Sequence, residues 1–330
     1  MKLATLPDGT PDGRLHVVSR DLSRAAPADG VATMQGLMEE WSALAPALEV
    51  QYSALNAGQG HAFDPGSALA PLPRAWQWLD GSAYESHGGL MQKVFKLDPV
   101  PKGRPLMYQG LSDRFLSPTA DVPLPSEADG IDFEGEFGII CDTVPMGTDA
   151  ATACGHIRLL VQINDWSLRT IAPVEMKTGF GWVQAKPACA MAPLAVTPDE
   201  IGSAWRDARV DLPLLVDLNG ARFGAAEGYH MAYGFDELIA HAARTRNLVA
   251  GTVIGSGTVS NENFRDIGSS CIAERRGIEL LDHGAPITPY MAFGDRVRME
   301  CRDRQGASVF GAIDQVVVRP SPGEQYSEHP

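Results

Sequence analysis

The sequence predicts a mixed, β-rich α+β fold, with a large domain of short strands following a small β/α unit at the N-terminus. Three observations lead there. Strand-length runs recur at 131–140, 156–164, 188–196, 212–218, 251–255 and 295–301, separated by Gly and Pro. Few stretches carry helical spacing. A segment rich in Gly, Ala and Pro, "NAGQGHAFDPGSALAPLPR" at 56–74, reads as a linker between two units. The 330 residues suffice for one large domain or two modest ones, and 44% apolar content can fill a core.

Taken in order, "KLATLPDG" and "RLHVVSRDLSRAAPAD" alternate around Pro-Asp-Gly turns and read as strands. A helix is expected over 33–55 from the spacing of Met34, Leu37, Met38, Trp41 and Leu44, with Pro46 breaking or kinking it. The boundary falls near 72, giving units of 1–72 and 73–330. Within the second, Thr197, Pro198 and Glu200 form a capping box at the head of a helix. "FDELIAHAARTRN" gives a helix over about 235–247. "RPSPGEQYSEHP" reads as a frayed tail.

A formal charge of −14 argues against non-specific nucleic-acid binding, which needs a basic surface. An anionic substrate would need local cations. Five cysteines without a CxxC pair suit reduced thiols, hence a cytoplasmic setting. No apolar run suits a signal peptide or the ~18 residues of a membrane span.

The informative stretch is "IDFEGEFGII", 131–140. On an extended chain Asp132, Glu134 and Glu136 share one face, about 7 Å apart, with no cation in the stretch. Either that face is solvated or a cation belongs to it. "LLVQINDWSLRT" ends an apolar strand in Asn164-Asp165, an acid that needs a partner if buried. "WLDGSAYESHGG" supplies Asp80 and, seven residues on, His87. Lys186 is the one cation in "WVQAKPACAMAPLAV", either snorkelling or held in a site. The Gly-Ser-Gly-Thr turn at 255–258 exposes N–H groups able to hold an oxyanion, or simply turns. Together Asp80, Glu134, Glu136 and Asp165 give four oxygen ligands, a set for Mg²⁺, Mn²⁺ or Ca²⁺ rather than zinc.

In these residues the chain resembles the fumarylacetoacetate hydrolase family, over about 72–318. DxExE appears as Asp132-Phe133-Glu134-Gly135-Glu136, and NDxSxRD as Asn164 to Arg169, with Thr170 replacing the last Asp. "QAKP", "GSGTVS" and the Asp80–His87 spacing complete the match. The resemblance implies a β-roll catalytic domain behind an accessory domain, usually a homodimer. It implies Asp80, Glu134, Glu136 and Asp165 as metal ligands, His87 as general base and Lys186 as oxyanion stabiliser. It makes Tyr108, Gly257 and Thr258 substrate contacts and Glu274 the acid behind His87. Arg169 either anchors a substrate carboxylate or pairs with a neighbouring acid. Ala172 stands where the family's diketo-contacting Gln is expected.

The activity so implied is metal-dependent hydrolysis of a carbon–carbon bond in a small anionic 1,3-diketo acid, as in aromatic catabolism. One alternative is a lyase, decarboxylase, dehydratase or isomerase acting on an oxaloacetate-like acid through an enolate. Another is a binding protein with a decayed site. Segments 88–107 and 171–182 read as the loops that set specificity, with their action as lids left open by the sequence. His61, His156, His230, His241 and His283 read as surface or packing residues, Trp76, Trp78, Trp166 and Trp182 as core or pocket wall, and Cys189 and Cys271 as inert thiols.

Overall fold

A computed structural model describes residues 1–95 and 103–320. Most of the stretch 319–330, expected as a tail, and part of the 88–107 segment lie outside these residues. The architecture is sheet-rich α+β, as the punctuation of the sequence suggests. A large sheet runs His61–Ala62, Arg24–Pro27, Arg14–Val18, Lys2–Leu6, Ala195–Val196, Ile157–Asn164, Gly135–Cys141, Thr252–Gly255, Trp78–Ser82, Leu106–Gln109. Its pairings are antiparallel except Thr252–Gly255 with Trp78–Ser82. A smaller sheet runs Ala221–Glu227, Pro213–Leu218, Arg296–Arg302, Ser308–Val318, Val122–Pro123.

The N-terminal strands continue the large sheet, because Lys2 pairs with Val196, which also faces Leu160. The 56–74 stretch is packed onto them. Leu69, Ala70 and Leu72 are buried, and the Thr5 hydroxyl donates to the Pro71 carbonyl at 2.7 Å.

Both faces of the central strands are covered. Phe137, Ile139 and Leu160 join one apolar cluster with Met299 and Phe310 of the second sheet. Ile140, Leu159, Ile163 and Val253 join the other, with Leu37 and Leu48 of the N-terminal helices. An acid on such a strand is covered on both sides, so the solvated-face reading of 131–140 does not hold.

That stretch is not one strand. Ile131–Asp132 pairs with Ser167–Leu168, whereas Gly135–Cys141 pairs with Ile157–Asn164. The change of partner between them turns Asp132, Glu134 and Glu136 toward different neighbours.

Three helix expectations are corrected. The 33–55 helix is two, Met34–Glu39 and Trp41–Asn56, parted at Glu40 rather than at Pro46. Pro46 lies within the second helix, where its missing N–H forfeits one bond to the Ser42 carbonyl. The Thr197 cap does not form. Its hydroxyl accepts from the Met1 amino group at 2.5 Å, Glu200 pairs with Arg20, and Pro198–Ala204 is a 3₁₀ segment interrupted at Gly202. The third helix ends at Ala242, and Ala243–Thr245 tightens to 3₁₀. Helices Glu85–Phe95, Ala172–Thr178 and Ile272–His283 were not foreseen.

Candidate metal centre and active site

Asp80, Glu136 and Asp165 converge from three segments, and a carboxylate oxygen of each lies within 4.8 Å of the others. Strand register brings them together. Asp80 pairs with Gly255, Glu136 with Ile163, and Asp165 follows Asn164 at the strand end. Gly255 is the floor between them. A Cβ there would stand 2.3 Å from Trp78, 2.5 Å from an Asp80 oxygen and 2.9 Å from a Glu136 oxygen. Gly257 has φ +76°, and its N–H donates to Asp80 at 3.1 Å.

The trio is buried, at 5%, 0% and 0% exposure for Asp80, Glu136 and Asp165. Both Glu136 oxygens lack a hydrogen-bond partner. Burial, then the Asp80 and Asp165 charges, pushes the Glu136 carboxyl well above its usual range. Asp80 rises similarly, by burial and then the Asp165 charge. Partnerless oxygens on clustered buried acids are costly without a cation. The hard oxygen donors, with the room that Gly255 leaves, fit a divalent ion.

Glu134, the fourth acid of the expected set, lies outside the trio that meets within 4.8 Å, and its oxygens hold other partners. They accept from Ser167 at 2.8 Å and Thr258 at 2.7 Å, and pair with Lys186 at 3.2 Å and Arg169 at 2.6 Å. Burial would raise this carboxyl, but the Arg169 and Lys186 charges outweigh it and hold it below the ordinary value.

Lys186 bridges the two groups of acids, 2.5 Å from Asp165 and 3.2 Å from Glu134. Burial opposes its charge, but Asp165 and Glu134 outweigh that and keep the ammonium protonated. It is held in the site rather than snorkelling. Tyr108 donates to the same Asp165 oxygen at 2.5 Å, and Trp182 meets its ring edge-on at 6.1 Å between centroids. Of the four tryptophans, Trp78 and Trp166 are core and Trp76 is exposed.

Arg169 is committed at both ends, to Asp132 at 2.8 Å and to Glu134. Asp132 also accepts the N–H groups of Ile272 and Ala273 at 2.7 and 2.9 Å, at the head of the Ile272–His283 helix. The internal pair is therefore the arrangement found, in place of a free carboxylate anchor or catalytic arginine. Asp132, Arg169 and Glu134 tie that helix to the site, and the third residue of the helix is Glu274.

His87 lies on the Glu85–Phe95 helix with Nδ1 3.7 Å from Glu274. Glu274 is fully buried and accepts from Ser260, whose oxygen also takes the Ser86 hydroxyl at 2.9 Å. Ser167 and Ser260 bind acids of the site without a role having been assigned to them from the sequence, and Gly255 leaves room between carboxylates rather than only turning the chain. The Cys189 thiol points at Asp165 Oδ1 from 2.9 Å and carries no lowered pKa, since burial raises it. His156 has an acidic partner after all, Asp142 at 2.7 Å.

The fumarylacetoacetate hydrolase C-terminal family model matches residues 77–318, and the fumarylacetoacetase N-terminal domain 2 model matches 1–74. The chain belongs to the fumarylacetoacetate hydrolase family.

Among curated proteins of this family, 2,4-didehydro-3-deoxy-L-rhamnonate hydrolase of Sphingomonas sp. (strain SKA58) is 23% identical over 69% of this chain and 79% of that one. A human mitochondrial oxaloacetate tautomerase is 23% identical over 48% of this chain and about half its own length, 49%. Among solved structures, 2-hydroxyhepta-2,4-diene-1,7-dioate isomerase from Mycobacterium marinum gives a TM-score of 0.60 at 18% identity, covering 98% and 100% of the two chains. Fumarylpyruvate hydrolase from Pseudomonas aeruginosa, in complex with Mn²⁺ and pyruvate, gives 0.55 at 14% identity, covering 76% and 92%. At these identities the structural likeness establishes the fold. Among the described residues no helix is long and apolar enough to cross a membrane.

Proposed function

We propose that this family member is a metal-dependent hydrolase that cleaves the carbon–carbon bond of a 1,3-diketo acid, an acylpyruvate or fumarylacetoacetate-like molecule. The observation that carries the reading is His87, backed by the buried Glu274, in a site that also holds Lys186 and three converged carboxylates. A tautomerase or decarboxylase needs an electron sink; a hydrolase also needs a base for water.

Asp80, Glu136 and Asp165 would hold the divalent ion, with Glu134 beside them. When bound, that ion supplies Lewis acidity toward the two oxygens of the diketo group. Glu274 faces Nδ1 of His87 and favours the tautomer with its proton there, so Nε2 takes a proton from water. The hydroxide adds to the carbonyl carbon remote from the substrate carboxylate. The bond to the intervening carbon then breaks, and its electron pair passes to the enolate of the 2-keto acid. The proton held by His87 returns to that carbon, so water and diketo acid become two acids.

Two Lys186 protons go to Asp165 and Glu134, which leaves the third for the enolate oxygen. Tyr108 and Thr258 border the substrate, with Trp182 beside Tyr108. With the divalent ion bound, Lys186 beside it would offset the chain's net negative charge here, so an acid can enter. The reading also places the protein in the cytoplasm as a homodimer.

The rival reading, isomerisation or tautomerisation through the same enolate, is supported by the tautomerase and isomerase among the related proteins. A panel of acylpyruvates, fumarylacetoacetate, fumarylpyruvate and oxaloacetate separates the two. Hydrolysis removes the diketo ultraviolet band and releases two acids, and chelation abolishes both changes. Interconversion of oxaloacetate forms without bond cleavage would replace this proposal with its rival.

A further inference from the structure

Lys186 leaves the backbone at the end of a stretch whose amides are held by one side chain. Glu175, in the Ala172–Thr178 helix, accepts from three successive N–H groups. Val183 donates at 3.1 and 3.2 Å, Gln184 at 2.9 Å and Ala185 at 3.0 Å. Successive amides turned to one point form an anion-binding concavity, and here the chain supplies its own anion. These donors hold the Glu175 carboxyl below its usual range.

The Ala185 carbonyl accepts the Leu168 N–H at 2.9 Å. The residue before Lys186 is thus tied on one side to Glu175 and on the other to the segment that carries Asp165 and Ser167. The intervening loop offers little packing. Gly179 and Gly181 turn it with φ of +73° and +98° and open space at their Cβ positions, and Phe180 is 97% exposed. What fixes the exposed 183 and 184, and the amide side of 185, is therefore the carboxylate.

We infer that Glu175 is a positioning residue, whose carboxylate clamps 183–185 so that the Lys186 ammonium stands between Asp165 and Glu134. The inference rests on the role given to Lys186 above. A loop staple with no such role would alter stability alone.

The test compares wild type, Glu175→Ala and Glu175→Gln as full chains with Mg²⁺. Three quantities are read: turnover of the keto acid that the wild type converts best, the Mg²⁺-induced rise in Tm, and chymotrypsin cleavage after Phe180. Displacing a reacting group by about 1 Å costs on the order of 100-fold in rate. Glu175→Ala is expected to lose roughly 10- to 100-fold in kcat by the same reasoning, with KM and the Mg²⁺ effect unchanged. Glu175→Gln keeps one acceptor oxygen and falls between. Added formate restores part of the Glu175→Ala kcat, by refilling the amide concavity, and leaves wild type unaffected.

Wild-type kcat in Glu175→Ala overturns the inference. So does a loss that formate leaves untouched, or one accompanied by a lost Mg²⁺ effect. If the wild type converts no keto acid, the functional reading fails separately. The clamp is then judged by cleavage after Phe180, where faster cutting in Glu175→Ala supports it and unchanged cutting refutes it.

Discussion

Glu136→Gln separates the metal reading from a merely acidic core. In the structure both Glu136 oxygens are buried and partnerless, beside two further carboxylates. Without a divalent ion this charge is a burden, so the neutral variant is expected to be at least as stable as wild type in chelator. With the ion the order reverses. A ligand that binds only the folded state stabilises by RT ln(1 + [L]/Kd), about 2.7 kcal/mol at a hundredfold excess over Kd. For a protein of this size each kcal/mol raises Tm by about 2 °C, so wild type gains about 5 °C. The variant, short of one anionic ligand of three, is expected to gain under about 1 °C at the same ion concentration. Differential scanning fluorimetry with Mg²⁺ or Mn²⁺, against a chelated control, reads both orders. A variant that keeps the full rise, or that melts well below wild type in chelator, would refute the placement of Glu136 in the ligand set.

Three further outcomes are expected. His87→Ala keeps the Mg²⁺-induced rise in Tm but loses about 10²- to 10⁴-fold in kcat, the usual contribution of a positioned base; steady-state kinetics checks it. Gly255→Ala forces a Cβ against Trp78 and Asp80, costing about 1–3 kcal/mol by urea unfolding and weakening the metal response. Glu300 is buried, which raises its carboxyl, but hydrogen bonds from Arg298 and Arg302 outweigh that and hold it below the usual value. Its stabilisation is therefore present above the ordinary carboxylate pKa of about 4.3 and lost as pH falls through the lower folded value. Glu300→Gln should flatten that acid limb in urea titrations at stepped pH.

Much of the site was legible because its residue types are rare in their contexts. An acid at the end of an apolar strand, Asp165, and a lone lysine in an apolar run, Lys186, each demand a partner, and each finds the other at 2.5 Å. Asp80 joins the trio and His87 faces Glu274, on a helix that the sequence pattern around it does not announce. What was illegible depends on contacts far along the chain. The strand break at Phe133–Glu134 follows from separate pairings with 157–164 and 167–168, which no local pattern announces.

Arg169 carried two readings until the structure set Asp132 beside it. Thr197 has the residues of a cap, yet its hydroxyl is turned to Met1 and makes no cap bond. The Ile272–His283 helix has the weak acceptor Cys271 as its N-cap, and its head is further stabilised by Asp132 from 140 residues away. Gly255 looked like a turn glycine. Its role, leaving room for two carboxylates, appears only once the strands are paired.

Anomalous diffraction from crystals grown with Mn²⁺ is the most direct test of a divalent ion at the heart of this chain. A peak within bonding distance of Asp80, Glu136 and Asp165 is the expected result. Density elsewhere, or a metal-free trio in which Lys186 alone balances the acids, would contradict it.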